Sequence, residues 1–349
     1  MTAVQGLVYH GSGKKDWKFV PDPSVVEPTD AVIRVNAVTI CGTDLHILAG
    51  DVPEVKEDRI LGHEAVGTIV ATGSAVTTVQ PGDRVLASCI SACGRCRYCR
   101  SGMYGQCLGG GGWILGHLID GVQAEYARIP FADTSTYTLP DSLTNDQAVM
   151  LADILPTSYE VGVLAGGVRP ADTVVIVGAG PIGLAAIITA QLYSPGHIVV
   201  IDPADARRMA AVNLGAVALD PDSDDPVEVI QAMTGGLGAD VAMEAVGVPE
   251  TFELCTRLIR PGGHVANIGV HGRPATLHLE SLWIRNVTIT TGLVDTNSTP
   301  TLISLLASGK LDVSTFLTHR FQFPDIMQAY EVFADPQRTE ALKVLITAP

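Results

Sequence analysis

Long hydrophobic runs are missing from this 349-residue chain: Gly, Pro or a charge interrupts every candidate before 18 apolar residues accumulate. A membrane-spanning helix is therefore not expected. Basic charge is also scarce, with 22 Lys and Arg against 37 Asp and Glu and a formal net charge of −15. Without a basic patch to neutralise phosphates, a nucleic-acid partner is not expected, and the acidity reads as a solvated surface. The opening Met1-Thr2-Ala3-Val4-Gln5 lacks the charged and apolar regions of a signal peptide. Internal repeats and low-complexity segments are not evident. Cysteine is sparse, seven in all, yet four are crowded between Cys93 and Cys107. This combination suggests a reducing cytoplasm, where clustered cysteines bind metal more often than they form disulfides.

What is present is apolar and well mixed. Hydrophobic residues make up 47%, charged residues 17%, and mean hydropathy is +0.29, which favours a packed α/β protein over disorder. The length fits two domains. Up to about residue 150 the chain reads as β-rich. Ala31–Val38, Glu64–Thr72 and Asp83–Ala87 are strand-like runs punctuated by Gly73 and Pro81-Gly82, which suggests a compact barrel-like domain. After that the character changes. Strands are predicted at Asp172–Val177, His197–Ile201, Ala216–Leu219, Asp240–Ala245, His264–Ile268 and Val287–Thr291. Helices are predicted at Pro181–Tyr193, Asp205–Leu214, Pro226–Met233 and Pro249–Ile259. Six strands alternating with helices make a parallel doubly wound sheet. Beyond about residue 295 the pattern stops, and the strand Leu342–Ile346 is expected to return to the first domain.

Gly178-x-Gly180-x-x-Gly183 follows a predicted strand and opens a helix, with Asp202 about twenty positions on at the end of the next strand. In that context the motif is a dinucleotide cradle. Gly178 permits the tight turn, Gly180 lets the backbone approach a pyrophosphate, and Gly183 allows close helix–strand packing. The helix N-terminus, at Pro181 and Ile182, favours the anionic pyrophosphate. Asp202 can accept the ribose hydroxyls and would repel a 2′-phosphate, so NAD is expected over NADP, although Arg207 and Arg208 lie close by in sequence.

Two zinc sites are expected. Cys93-x2-Cys96-x2-Cys99-x7-Cys107 has the spacing of a closed tetrathiolate that braces a lobe and does no chemistry. An iron–sulfur run would close with a nearer cysteine followed by proline, whereas Leu108 follows here. Cys41-Gly-Thr-Asp-Leu-His46 and Gly62-His63-Glu64 place a thiol, imidazoles, carboxylates and a hydroxyl in short polar segments. Cys41 and His63 suit a catalytic zinc, which needs three protein ligands and an open position. The third ligand is undetermined by the residues alone: Asp153 is attractive, with Glu160, Cys89 and His46 as alternatives.

These residues carry a resemblance. The chain resembles zinc-dependent medium-chain alcohol dehydrogenases along essentially its whole length. The zinc signature appears as Gly62-His-Glu-x2-Gly67-x5-Gly73-x2-Val76 with Pro81-Gly-Asp-Arg-Val85 after it, and the four-cysteine lobe and glycine fingerprint follow in the family's order. The resemblance implies a GroES-like catalytic domain over residues 1–153, completed by 295–349, and a Rossmann NAD-binding domain over 154–294. It implies Cys41, His63 and Asp153 as catalytic zinc ligands, with Glu64 beside the metal and able to bind it transiently. Asp44 would orient the zinc-bound histidine. Thr43 would hydrogen-bond the substrate oxygen, and His46 would relay the proton by way of the nicotinamide ribose to solvent. Thr157, Ile268 and Val270 would contact the cofactor, while Trp113 and Cys89 would line the substrate pocket. Asp153 and Trp113 are nearest to bacterial secondary-alcohol dehydrogenases, although that branch commonly carries an NADP-type loop and some members lack the four-cysteine lobe.

The implied activity is reversible hydride transfer between a primary or secondary alcohol and NAD, with a polyol, butanediol or threonine dehydrogenase as the alternative. A zinc-free quinone reductase would not need Cys41, His63 and the cysteine lobe. A non-catalytic relative would show a lost ligand or relay group, and none is lost here. The implied assembly is a homotetramer, or a dimer, formed through the nucleotide domain, with Leu282–Leu293 as an edge strand.

Overall fold

The computed structural model describes residues 4–348; Met1–Ala3, part of the segment read above for a leader, and Pro349 lie outside them. The chain divides into two units. One runs to Pro156 and resumes at Val294, and the other is Thr157–Leu293.

In the first unit, β-branched runs broken by Gly and Pro give short strands rather than helices. Ala31–Thr39 is the hub, antiparallel to Ala65–Thr72, to Tyr126–Ile129 and to the returning strand Lys343–Thr347. The last of these also pairs with Leu317–Gln322, and Ala65–Thr72 continues through Arg84–Ala87 to Thr136–Thr138, making seven strands. Val4–Tyr9 pairs with Lys15–Val20 and Arg59–Ile60 in a smaller sheet. Both sheets feed one core, where Leu7 from the small sheet meets Ile33, Ile69, Val85 and Ile346. Burying each such side chain contributes about 1.5–3 kcal/mol.

The second unit is a six-stranded parallel sheet. Its order is Val217–Leu219, His197–Ile201, Thr173–Val177, Ala239–Glu244, Ile259–Asn267 and Thr288–Thr291. The chain order reverses between Thr173–Val177 and Ala239–Glu244, the switch point at which such sheets bind ligands. Thr173–Val177 is buried throughout, as a central parallel strand must be. Helix Pro181–Ala190 follows, with Gly180 as its cap and Pro181 in its first turn.

Two expectations are corrected. The strand predicted at His264–Ile268 pairs over His264–Asn267 as expected, but it also reaches back to Ile259, which pairs with Ala239 across a bulge at Arg260–Gly263 where Gly262 has a φ of +73°. Leu282–Leu293 is not one strand. Leu279–Leu282 is a helical turn, Asn286 adopts a left-handed φ of 50°, and only Thr288–Thr291 pairs. No helix among the described residues is long and apolar enough to cross a membrane.

Candidate active site and metal centres

Strand Ala31–Thr39 delivers Cys41 to the start of helix Gly42–Ala49. The Cys41 backbone N–H donates to Asp44 Oδ2 at 3.0 Å, which fixes Asp44 in the first turn. His63 and Glu64 lead into strand Ala65–Thr72. Gly62 before them has a φ of +90°, and a Cβ there would sit 2.4 Å from Gln123 Cγ, so only glycine permits this approach. Asp153 closes the group immediately before the helical turn Ile154–Thr157.

The donor atoms of Cys41, His63, Glu64 and Asp153 lie within 4.8 Å of one another. His63 Nε2 is 3.4 Å and Cys41 Sγ 3.6 Å from Asp153 Oδ2. Of the candidates for the third ligand, Asp153 is the one whose carboxylate joins this group, together with Glu64. Cys89 Sγ lies behind it, 3.8 Å from Asp153 Oδ1, while His46 and Glu160 are not in the donor group. Burial raises the Cys41 thiol above its usual range, and the neighbouring Glu64 and Asp153 charges add to this. Burial alone would lower His63, but hydrogen bonds to Asp153 and Cys41 override it and hold the imidazole well above its usual range. Burial likewise raises Asp44. A pocket that crowds acids until they resist ionising is one that a divalent cation would relieve. Sulfur, imidazole and carboxylate together suit zinc.

Among the described residues a buried lysine faces the cluster, and sequence reasoning missed it. Lys343, buried in the returning strand, donates to Glu64 Oε1 at 2.7 Å and to Ile40 O at 3.2 Å. Thr39 Oγ1 also hydrogen-bonds Glu64 Oε2. Burial would lower the Lys343 ammonium, but the Glu64 charge and hydrogen bond, with Cys41 and Asp153 nearby, together outweigh it and raise it. The available signal was a single Lys inside the otherwise apolar run Leu342–Ile346.

Thr43 Oγ1 lies 3.6 Å from Cys41 Sγ, and His46 sits one turn along the same helix. The His46 side chain is partly exposed, its Nδ1 held by Asp51 Oδ2 at 2.8 Å. Trp113 meets His63 edge-on, 6.2 Å between centroids, and stacks on His117 at 4.2 Å.

The second cysteine group is built differently. Cys93, Cys96, Cys99 and Cys107 also bring their sulfurs within 4.8 Å, and all seven cysteines are free thiols. Backbone N–H groups point at the sulfurs: Cys99 and Leu108 donate to Cys96, Cys93 and Gly109 to Cys107. Those of Cys99 and Leu108 pull Cys96 down to about 6, whereas burial pushes Cys99 up to about 12. This unequal set fits a metal that takes all four sulfurs as thiolates. The lobe is tied down by the Gly105 N–H to Asp295 Oδ1 at 2.8 Å and by Asn297 Nδ2 to Gly102 O at 2.7 Å.

In the second unit, Gly178 has a φ of +99°, and a Cβ on Gly183 would lie 1.9 Å from Gly178 O. The space beside Gly180 is open within 4 Å, as a backbone that must meet a pyrophosphate requires. Asp202 is buried, its oxygens accepting from the Ala179 and Ala204 N–H groups, each at 2.8 Å. Arg207 Nη1 is 3.9 Å away, while Arg208 is spent on the Asp202 and Pro203 carbonyls, Asp205 and Asp220. Thr157 opens this unit just before a seven-residue π-helical turn, Ser158–Leu164, of the kind frequent at functional sites. Ile182 O accepts from Ser158 Oγ, Ile268 is buried, and a Cβ on Gly162 would lie 2.7 Å from Ile268 Cδ1; Val270 is largely exposed.

Comparison with known proteins agrees with this picture. Residues 27–141 match the alcohol dehydrogenase GroES-like domain family, and residues 181–308 match the zinc-binding dehydrogenase family. The structure is similar to zinc-dependent alcohol dehydrogenase 2 from Streptococcus pneumonia in its apo form: TM-score 0.95, 44% identity, 99% of each chain covered. The sequence is 36% identical to an alcohol dehydrogenase of Cupriavidus necator over 99% of each chain. It is 32% identical to L-threonine 3-dehydrogenase of Pyrococcus horikoshii over 90% of this chain and 89% of the other.

Proposed function

Because the chain belongs to the zinc-dependent medium-chain alcohol dehydrogenase family, we propose that it transfers hydride reversibly between a primary or secondary alcohol and NAD, giving aldehyde or ketone. The observation that carries this reading is the buried convergence of Cys41, His63 and Asp153 in a chain that also carries the open Gly180 cradle. Cys41, His63 and Asp153 would hold a catalytic zinc, and Cys93, Cys96, Cys99 and Cys107 a structural one.

Zinc in the first site would supply Lewis-acid stabilisation to the substrate oxygen. The remaining work falls to the chain's own groups. Thr43 Oγ1, beside the Cys41 sulfur, takes the proton of the substrate hydroxyl in a hydrogen bond. His46 stands further along the helix with Nδ1 fixed by Asp51, which leaves Nε2 to pass the proton to solvent. Glu64, tethered by Lys343, is held beside the ligands as a reserve carboxylate. Trp113, edge-on to His63, and Cys89, beside Asp153, would line the substrate pocket with mostly apolar surface; burying several hydroxyls there without partners is costly, so apolar secondary alcohols would be favoured over polyols.

On the nucleotide side, Asp202 keeps lone pairs for the ribose hydroxyls and repels a 2′-phosphate, which favours NAD. Arg207 is the residue placed to soften that exclusion. Assembly as a homotetramer, or as a dimer, would use the outer strand Thr288–Thr291 with exposed Trp283 and Ile284 beside it. The similarity to a threonine dehydrogenase supports a second substrate reading, an alcohol carrying a further polar group.

One kinetic panel separates these. NADH formation is followed with 2-butanol, a primary alcohol, 2,3-butanediol, sorbitol and threonine, each with NAD and NADP. The highest kcat/KM is expected for 2-butanol with NAD. A better rate with threonine or sorbitol overturns the substrate reading, and a better rate with NADP overturns the reading of Asp202.

A further inference from the structure

Three buried polar side chains behind the metal cluster are joined end to end. Tyr330, on helix Ile326–Ala334, donates its hydroxyl to Gln123 Oε1 at 2.7 Å. Gln123 Nε2 in turn donates to Asp44 Oδ2 at 3.0 Å. None of the three is more than 1% exposed. An amide oxygen turned towards a carboxylate would set two acceptors against each other. The Tyr330 hydrogen on Oε1 locks the opposite orientation, with the amide N–H facing Asp44.

Asp44 Oδ2 therefore receives two donors, the Gln123 amide and the Cys41 backbone N–H. Asp44 Oδ1 is left without a hydrogen-bond partner. It lies 3.9 Å from His63 Nδ1, which is also buried and also lacks one. At 3.9 Å they are neighbours and not yet a hydrogen bond; a small closure would pair them with a proton on His63 Nδ1, and the Nε2 side, which faces Cys41 and Asp153, would then be the one offered to a metal. The far end of the line is held as firmly. Burial and the Asp44 charge push the Tyr330 hydroxyl well above its usual range, which favours its role as donor to Gln123. The Lys15 ammonium lies over the Tyr330 ring, 4.8 Å from its centroid. Gln123 is packed against the backbone of Gly62, next to His63, where even a Cβ would not fit.

We propose that Tyr330 and Gln123 are positioning residues for His63: acting through Asp44, they fix which ring nitrogen carries the proton and thereby how tightly the Cys41–His63–Asp153 cluster holds its metal. The proposal rests on the zinc reading given above and extends it to residues that touch neither metal nor substrate.

The test is zinc release from the intact holoprotein to a chromogenic chelator, with the tetrathiolate phase assigned from a Cys96→Ser variant. Tyr330→Phe, which removes a single oxygen, and Gln123→Leu should each speed loss of the cluster zinc by about 10-fold or more, within the 10–100-fold typical of outer-layer partners. Release from the tetrathiolate should not change. The double variant should be no faster than the faster single, since both act along one line. Wild-type release rates in both single variants overturn the proposal. So does equal acceleration of both zinc phases, which would mean general loosening, and so does a fully additive double variant. A wild-type protein that yields zinc only from the tetrathiolate overturns the catalytic-zinc reading and this proposal with it.

Discussion

The two cysteine-containing clusters belong to the same unit but are held by opposite means. Around Cys41, His63 and Asp153 the support comes from side chains: Asp44, Gln123, Tyr330, Lys343 and Thr39, drawn from distant parts of the chain and buried. Around Cys93–Cys107 it comes from local backbone N–H groups, and the lobe is partly exposed. Local backbone support needs only a short loop and gathers four donors of one kind, all sulfurs. Long-range side-chain support can hold three unlike donors around an open position, which a reaction requires. On the proposed reading, the difference separates a brace from a reactive centre.

The largest test exchanges one cysteine in each cluster. Cys41→Ser should lower kcat/KM by at least about 10³-fold, since Lewis-acid stabilisation is worth several kcal/mol. Its melting temperature should barely move. Cys96→Ser should do the reverse, lowering Tm by roughly 5 °C or more while residual folded enzyme stays active. Equal effects in calorimetry and in kinetics would erase the contrast. Next comes the buried ion pair. Lys343→Met strands Glu64 without its cation and should cost about 3–5 kcal/mol in chemical denaturation. Adding Glu64→Gln should recover much of that loss, and a double variant as unstable as the single would show that the pair is not the cause.

His46→Gln should reduce alcohol oxidation by about 100-fold, the low end for general-base help, most severely near and below neutral pH where other bases are scarce. Small buffer bases should restore part of the rate. An unchanged pH–rate profile would remove His46 from the relay. The smallest effect is expected at the brace. Asp295→Ala removes the charged acceptor of the Gly105 N–H and should cost about 1.5 kcal/mol of stability with kcat untouched. A fall in kcat there would mean that the lobe takes part in the chemistry.

Legibility from the sequence follows the same division. The tetrathiolate could be read because its donors sit within fifteen residues, Cys93 to Cys107, and the N–H groups that support them reach only to Gly109. The doubly wound unit was equally plain, since its strands are apolar runs separated by helices of regular length. The strand Ile259–Asn267 was read short because Pro261-Gly262-Gly263 does interrupt the pairing as a bulge, and the one paired residue before it, Ile259, carries no local mark. In the Cys41–His63 cluster those two residues were visible by composition and motif, whereas the nearness of Asp153 shows only in the folded chain. Lys343, Gln123 and Tyr330 were missed for a physical reason. Their partners lie 279, 79 and 207 positions away, and no local pattern encodes such separations.

The partnership of Lys343 with Glu64 also dictates an order of events during synthesis. Glu64 and Thr39 leave the ribosome early, but the cation that neutralises Glu64 is made only after the whole of Thr157–Leu293. Strand Ala31–Thr39 likewise waits for Lys343–Thr347 to occupy its free edge. The interposed unit has its own continuous stretch of chain and can condense while translation proceeds. The nascent first unit, with an uncompensated carboxylate in its interior and an open strand edge, must meanwhile stay loose or be shielded by chaperones. Nucleotide-binding competence would therefore be reached before the reactive centre matures.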